Sequence, residues 1–133
     1  MSTEAICKTK LKDKTSLIEA LKNIYGKTKV FESEGTKISG YSSSKKIEIE
    51  VKLNGLYGTA GFFKNKDNDY EFVYDSTDRN KFKAIIGDKE GNNELIQVYT
   101  KNKVLKALSK MKGKITSESK DSNGKIKLKV KLY

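Results

Sequence analysis

Lys125-Ile126-Lys127-Leu128-Lys129-Val130-Lys131-Leu132 alternates cation and aliphatic residue without interruption, and residues 46–53, Lys-Ile-Glu-Ile-Glu-Val-Lys-Leu, alternate in the same way with mixed charges. A period of two places Ile47, Ile49, Val51 and Leu53 on one face of a strand and Glu48, Glu50 and Lys52 on the other. A helix would scatter the same residues around its circumference. Strands of this kind must bury one face, which commits the chain to a layered fold covering a sheet. Residues 4–12 repeat the pattern, with Ile6, Lys8, Lys10 and Lys12 on one side and Cys7, Thr9 and Leu11 on the other.

The 133 residues suffice for one domain, 1–133, and show no internal repeat or linker. Leu17, Ile18, Leu21, Ile24 and Tyr25 fall at helical spacing. Asp13 or Ser16 offers the cap, Ser16 with Glu19 as a capping box, and Gly26 the stop, which predicts a helix over 14–25. Strands are expected at 29–32 and 37–41 with a loop at 42–44, at 57–64 after an Asn54-Gly55 hairpin turn, and at 70–75 after a polar turn at 65–69. Asp78 is placed to cap a short helix through Phe82, Ile85 and Ile86, broken at 87–91. Leu95, Val98, Tyr99, Leu105, Leu108 and Met111 mark a second helix over about 92–111 ending at Gly113, and a last hairpin from Ile115 turns at Asn123-Gly124. The fold class expected is α+β, a twisted, mainly antiparallel sheet with two helices packed on one face.

The chain has no histidine, proline or tryptophan and one cysteine, Cys7. That removes nucleophile-histidine pairs, histidine-ligated metals, thiolate zinc sites and disulfide frameworks, so no enzyme, cofactor or metal is expected. Cys7, between Ile6 and Lys8, reads as a reduced thiol packed as a small hydrophobe. No signal-peptide core opens the chain and no apolar run reaches the ~18 residues of a spanning helix, so a soluble intracellular protein without membrane contact is expected.

The 28 basic residues outnumber 17 acidic ones for a net charge of +11, and Arg79 is the only arginine. Lysine is a point charge suited to phosphate backbone or an acidic surface, whereas arginine supplies the fork that reads base edges. Lys125, Lys127, Lys129 and Lys131 form one row and Lys8, Lys10 and Lys12 a second. Were the terminal strands neighbours, these seven ammonium groups would share one sheet face, a footprint for a polyanion. The plainer alternative is a solvated face on which Glu48 and Glu50 pair across strands with lysines, at ~0.2–1 kcal/mol a pair.

Other candidates are simpler in structural terms. Tyr41, Tyr57, Phe63, Tyr70, Tyr74 and Tyr133 lie on or near strands, where rings can stack bases. Tyr70, Phe72 and Tyr74 share one face by period two, however, and core packing suits them better. Gly55, Gly58 and Gly61 lack the following helix and Lys-Ser/Thr of a phosphate loop and read as turn and bulge glycines. Asp67, Asp69, Asp75 and Asp78 form the densest acidic cluster, but the sixth and twelfth places from Asp67 hold Phe72 and Asp78 where a calcium loop needs Gly and Glu. A turn and a helix cap explain them.

Several segments carry a family pattern: Lys8-Thr9-Lys10 and Asp13 before Leu17-Ile18-Glu19-Ala20-Leu21-Lys22, Ile38-Ser39-Gly40-Tyr41, Tyr57-Gly58-Thr59-Ala60-Gly61-Phe62, Tyr70-Glu71-Phe72-Val73-Tyr74-Asp75, Tyr99 with Val104-Leu105, and Gly124-Lys125-Ile126-Lys127-Leu128. Together they resemble the hypothetical chloroplast reading frame thirty-five family, a domain of unknown function in plastids, cyanobacteria and other bacteria. The usual Ser-His-Phe-like start is Ser2-Thr3-Glu4 here, and the family's tryptophan pair is replaced at Ser76-Thr77-Asp78. The resemblance implies a cytoplasmic or plastid-stromal protein and, through genes encoded beside ATPases of the AAA type, an accessory role. Two functions are expected: a non-enzymatic module docking on RNA or single-stranded nucleic acid through lysines, or an adaptor for an AAA-type ATPase or other acidic protein partner. The oligomeric state has no signature in the sequence.

Overall fold

A computed structural model describes residues 4–38, 46–88, 93–111 and 113–132. The expected strand end at 39–41, the loop at 42–44, part of the helix break at 89–91, Tyr41 and Tyr133 lie outside the described residues. The elements run β1 (Glu4–Lys8), α1 (Lys14–Tyr25), a 3-10 turn (Lys27–Lys29), β2 (Val30–Ile38), β3 (Lys46–Val51), β4 (Gly61–Lys64) and β5 (Tyr70–Asp75). A 3-10 helix (Ser76–Phe82), α2 (Lys83–Ile86), α3 (Glu94–Lys110), β6 (Gly113–Lys120) and β7 (Ile126–Leu132) follow. The first five strands form one antiparallel sheet in the order β1-β5-β4-β3-β2, and β6-β7 is a separate antiparallel hairpin. The class is α+β, as the periodicities predict.

Helix α1 buries Leu17, Ala20 and Leu21. They share one core with Ile49, Val51, Phe62, Phe72 and Tyr74 of the sheet and with Phe82, Ile85, Leu95 and Tyr99 of the later helices. Phe72 is the hub of its rings, 4.8 Å from Phe62, 5.0 Å from Phe82 and 5.4 Å from Tyr74 between centroids. Asp13, not Ser16, caps α1: its Oδ1 accepts the N–H groups of Thr15 at 3.1 Å and Ser16 at 3.4 Å, and Ser16, buried inside the first turn, donates its hydroxyl to Oδ2 at 2.7 Å. Asn93 caps α3 through Ile96 N–H at 3.1 Å and donates to the Ile85 carbonyl at 2.7 Å, tying α2 to α3.

Four local expectations are corrected. The strands expected at 29–32 and 37–41 are one strand, β2, with an irregular register. Between its pairs Glu32 with Ile49 and Lys37 with Ile47, β2 runs five residues while β3 runs two. A bulge of this kind re-aims side chains, and Ile47 does not join Ile49 and Val51 but packs with Phe63 and Val73 in a second small cluster. The Asn54-Gly55 turn does not close a tight hairpin: β4 starts only at Gly61, leaving residues 52–60 as a link, with Val51 N–H on the Ala60 carbonyl at 2.9 Å. Finally, Asp75 rather than Asp78 caps the 3-10 helix, its Oδ1 accepting Thr77 N–H at 2.8 Å.

Candidate nucleic-acid interface

The hairpin register decides what the lysines of β7 face. Lys127 is opposite Ser119 and Lys129 opposite Ser117, while Leu128 is opposite Glu118 and Ile126 opposite Lys120. Opposed residues share a face, so Lys127 and Lys129 lie with serines and the only carboxylate of the two strands lies on the other side. There Lys101 of α3 holds Glu118 at 2.8 Å. The carboxylate of the turn, Asp121, is occupied locally, its Oδ1 accepting Asn123 N–H at 2.9 Å and Lys125 N–H at 3.0 Å. The Lys125 backbone donor first, then that of Asn123 and the nearby lysine charges, hold its carboxyl below the ordinary range. Lys125, Lys127, Lys129 and Lys131 are exposed, and Ile126 and Leu128 are half-buried.

The second row does not join this face. β1 lies at an edge of the five-stranded sheet and is not bonded to β7, so the terminal strands are not sheet neighbours and the seven ammonium groups do not share one sheet face. β1 ends at Lys8, opposite Glu71. Lys12 pairs with Asp69 at 2.8 Å and donates to the Asp67 carbonyl at 2.8 Å. Lys8 and Lys10 line a cavity of about 350 Å³ together with Asp67, Asp69 and Glu71. The N-terminal row is thus set among carboxylates.

Glu48 is bound by a lysine of a helix. Lys14 of α1 reaches Glu32 at 3.1 Å and Glu48 at 3.4 Å. Burial works to lower the Lys14 pKa, and the two carboxylates outweigh it and leave it raised. Tyr70 donates its hydroxyl to Glu48 at 3.4 Å, and burial first, then the Glu48 charge, push its phenol up to about 12. Tyr70 and Tyr74 lie in the main core and Phe63 is buried on the other sheet face, as packing predicts. Cys7 is a free, partly buried thiol whose pKa is raised by that burial against the opposing charge of Arg79.

Two features escaped sequence reasoning. Helix α3 and β7 enclose a groove of about 360 Å³ with Ile96, Ile126 and Leu128 as its apolar lining and Gln97, Lys101 and Lys125 beside them; no local pattern reports that these segments meet. The other is the task of Asp78. Nearly fully buried, it accepts Tyr57 N–H at 3.0 Å on both oxygens and Gly58 N–H at 3.3 Å. With Asp75 on its cap and Asp69 on Lys12, the acidic cluster is spread over separate structural tasks. No group of three or more potential metal ligands is present among the described residues.

Fold and site define a small α+β domain carrying a detached cationic hairpin on its last helix. The chain belongs to the DUF1257 family, a protein family of unknown function, whose model matches residues 20–129, from within α1 to Lys129 of β7. No curated protein and no solved structure matches the chain. No helix among the described residues is long and apolar enough to cross a membrane.

Proposed function

We propose that the protein is a non-enzymatic binding module whose β6-β7 hairpin docks on RNA or single-stranded nucleic acid through lysine-phosphate contacts. The observation that carries this reading is the register that sets Lys127 and Lys129 against serines and leaves Glu118 on the opposite face with Lys101. Residues 113–132 hold six lysines and two carboxylates, and both carboxylates are engaged within the fold. Phosphate contacts made by lysine carry little sequence information and release counterions, so binding is sequence-tolerant and falls steeply with salt. Lys125, Lys127, Lys129 and Lys131 are the assigned contacts, and Lys8, Lys10 and Lys12 remain outside them because of the carboxylates around them. Titration of labelled single-stranded RNA at low and physiological salt tests it. Salt-independent affinity, or intact binding by the Lys127→Glu, Lys129→Glu double variant, overturns it.

A second reading, an adaptor for an AAA-type ATPase or another acidic protein partner, is favoured by the groove between α3 and β7, where Ile96 is 45% exposed beside two lysines. Purification from the native source that returns no stoichiometric protein partner counts against it. We read the matched family as the hypothetical chloroplast reading frame thirty-five family, because the resembling segments from Leu17 to Leu128 fall largely within the matched residues. A cytoplasmic or plastid-stromal location goes with that reading.

A further inference from the structure

We infer that Tyr57 is a base-stacking residue, a second contact for single-stranded nucleic acid that rests on the hairpin reading above and deepens it. Tyr57 is 72% exposed, the most exposed large apolar side chain among the described residues. It sits in the link of residues 52–60 between β3 and β4, a stretch without strand or helix of its own. Such a link would ordinarily wander, yet its backbone is held from two directions.

On one side Asp78, 1% exposed, takes the N–H groups of Tyr57 at 3.0 Å and Gly58 at 3.3 Å. On the other, the Lys81 ammonium donates to the carbonyls of Asn54 at 3.2 Å and Gly55 at 2.8 Å. Gly55, at φ +74°, makes this approach feasible, since a Cβ there would stand 3.1 Å from Lys81 Nζ. A buried carboxylate is unfavourable unless it is hydrogen-bonded, and the backbone donors bonded to Asp78 are those that flank the Tyr57 ring. The arrangement anchors the backbone that carries the exposed ring before any ligand arrives, which lowers the backbone part of the ordering entropy that weakens contacts made by loose loops.

The class of ligand follows from the surroundings. A tyrosine ring stacks on a base of any sequence, and the exposed lysines of β7 supply the cations for the phosphates that join successive bases. Ring and lysines together suit a single strand, which carries both planar bases and phosphates. The 3-10 helix and α2 then lead from this loop to the hairpin turn, where Lys83 shares a cavity of about 380 Å³ with Lys120, Asn123 and Gly124. That cavity also carries Asp88 and Glu94, so it is not itself assigned as a phosphate site, and the proposed contacts are Tyr57 and the β7 lysines.

The test compares Tyr57→Ala and Tyr57→Phe with the unmodified chain, using single-stranded RNA and heparin as probes at fixed salt. Expected are a roughly five- to hundredfold loss of RNA affinity in the alanine variant, retention in the phenylalanine variant, and unchanged heparin binding in both. An alanine variant that binds RNA like the unmodified chain overturns the stacking assignment and leaves the hairpin reading standing. Equal loss for RNA and heparin also overturns it, since a base contact cannot affect a ligand without bases. Absence of RNA binding by the unmodified chain overturns both.

Discussion

The Tyr99 hydroxyl accepts the backbone N–H of Asp13 at 3.0 Å, joining positions 86 residues apart. Asp13 is the cap of α1 and Tyr99 is a buried residue in the middle of α3, so one oxygen locks the start of the first helix to the last. Tyr99→Phe keeps the ring and leaves that N–H without its acceptor. We expect a loss of about 1–3 kcal/mol in urea unfolding, and a variant as stable as the parent would show that water replaces the hydroxyl at no cost.

Asp13 also sets an acid limit. The Ser16 hydroxyl first, then backbone donors and the Lys106 charge, hold its carboxyl below 3.8, with desolvation opposing. Because the folded pKa is the lower one, this stabilisation is complete above the unfolded value and is lost as pH falls through the folded one. Asp13→Asn should keep the cap acceptor and flatten this part of the acid limb, while Asp13→Ala should lose roughly 0.5–2 kcal/mol at neutral pH. Urea midpoints from pH 7 to pH 2 check both, and parallel acid limbs for parent and Asn variant would refute the assignment.

Gly61 of β4 stands opposite Glu50 of β3 with no room for a side chain. A Cβ there would lie 2.4 Å from Ile47 Cγ2 and 2.5 Å from the Ile49 carbonyl oxygen. Gly61→Ala should therefore destabilise by about 3 kcal/mol or more. Adding Ile47→Ala removes only the first collision and opens a cavity, so thermal unfolding of the double variant should show no full rescue. Recovery of parental stability would mean that the backbone of β3 yields.

The gradations of legibility have physical causes. Helix α1 and the strands β3, β5 and β7 were readable because each carries its own period, and the α+β class follows from them. Ile47 leaves the face of Ile49 and Val51 because a period of two holds only while the ladder is regular, and the register between β2 and β3 shifts between Ile49 and Ile47. The separation of the lysine rows was hidden for a related reason: alternation tells which face a side chain takes, not which strand lies beside it. The task of Asp78 has no local signature because its N–H partners, Tyr57 and Gly58, lie 21 and 20 residues earlier in the chain.

An alkaline limit should mirror the acid one. Tyr70 is fully buried, and burial with the nearby Glu48 charge raises its phenol from 10.0 to about 12. A raised folded pKa contributes stability that is complete below the unfolded value and lost as pH rises toward the folded one. Tyr70→Phe removes this ionisation together with the bond to Glu48, so it should be less stable at neutral pH and lose less further stability above pH ~10. Equal losses over that range for parent and variant, followed by urea midpoint, would exclude Tyr70 as a source.

The hairpin assignment predicts a difference between the two lysine rows that bulk charge does not. Single-stranded nucleic acid gives a slope of log K against log salt of about −0.7 per phosphate neutralised, so four lysines on β7 correspond to about −3. Lys127→Glu with Lys129→Glu should reduce that slope to about half or less and weaken binding at low salt. Lys8→Glu with Lys10→Glu changes net charge by the same amount but acts beside Asp67, Asp69 and Glu71, away from the proposed contact. It should leave the slope near its parental value, with only the modest loss that long-range attraction carries at low ionic strength. Salt titrations of both double variants on one RNA decide the matter: matching slopes would mean that the protein attracts nucleic acid through its overall charge, and the register of β6 and β7 would then have no part in binding.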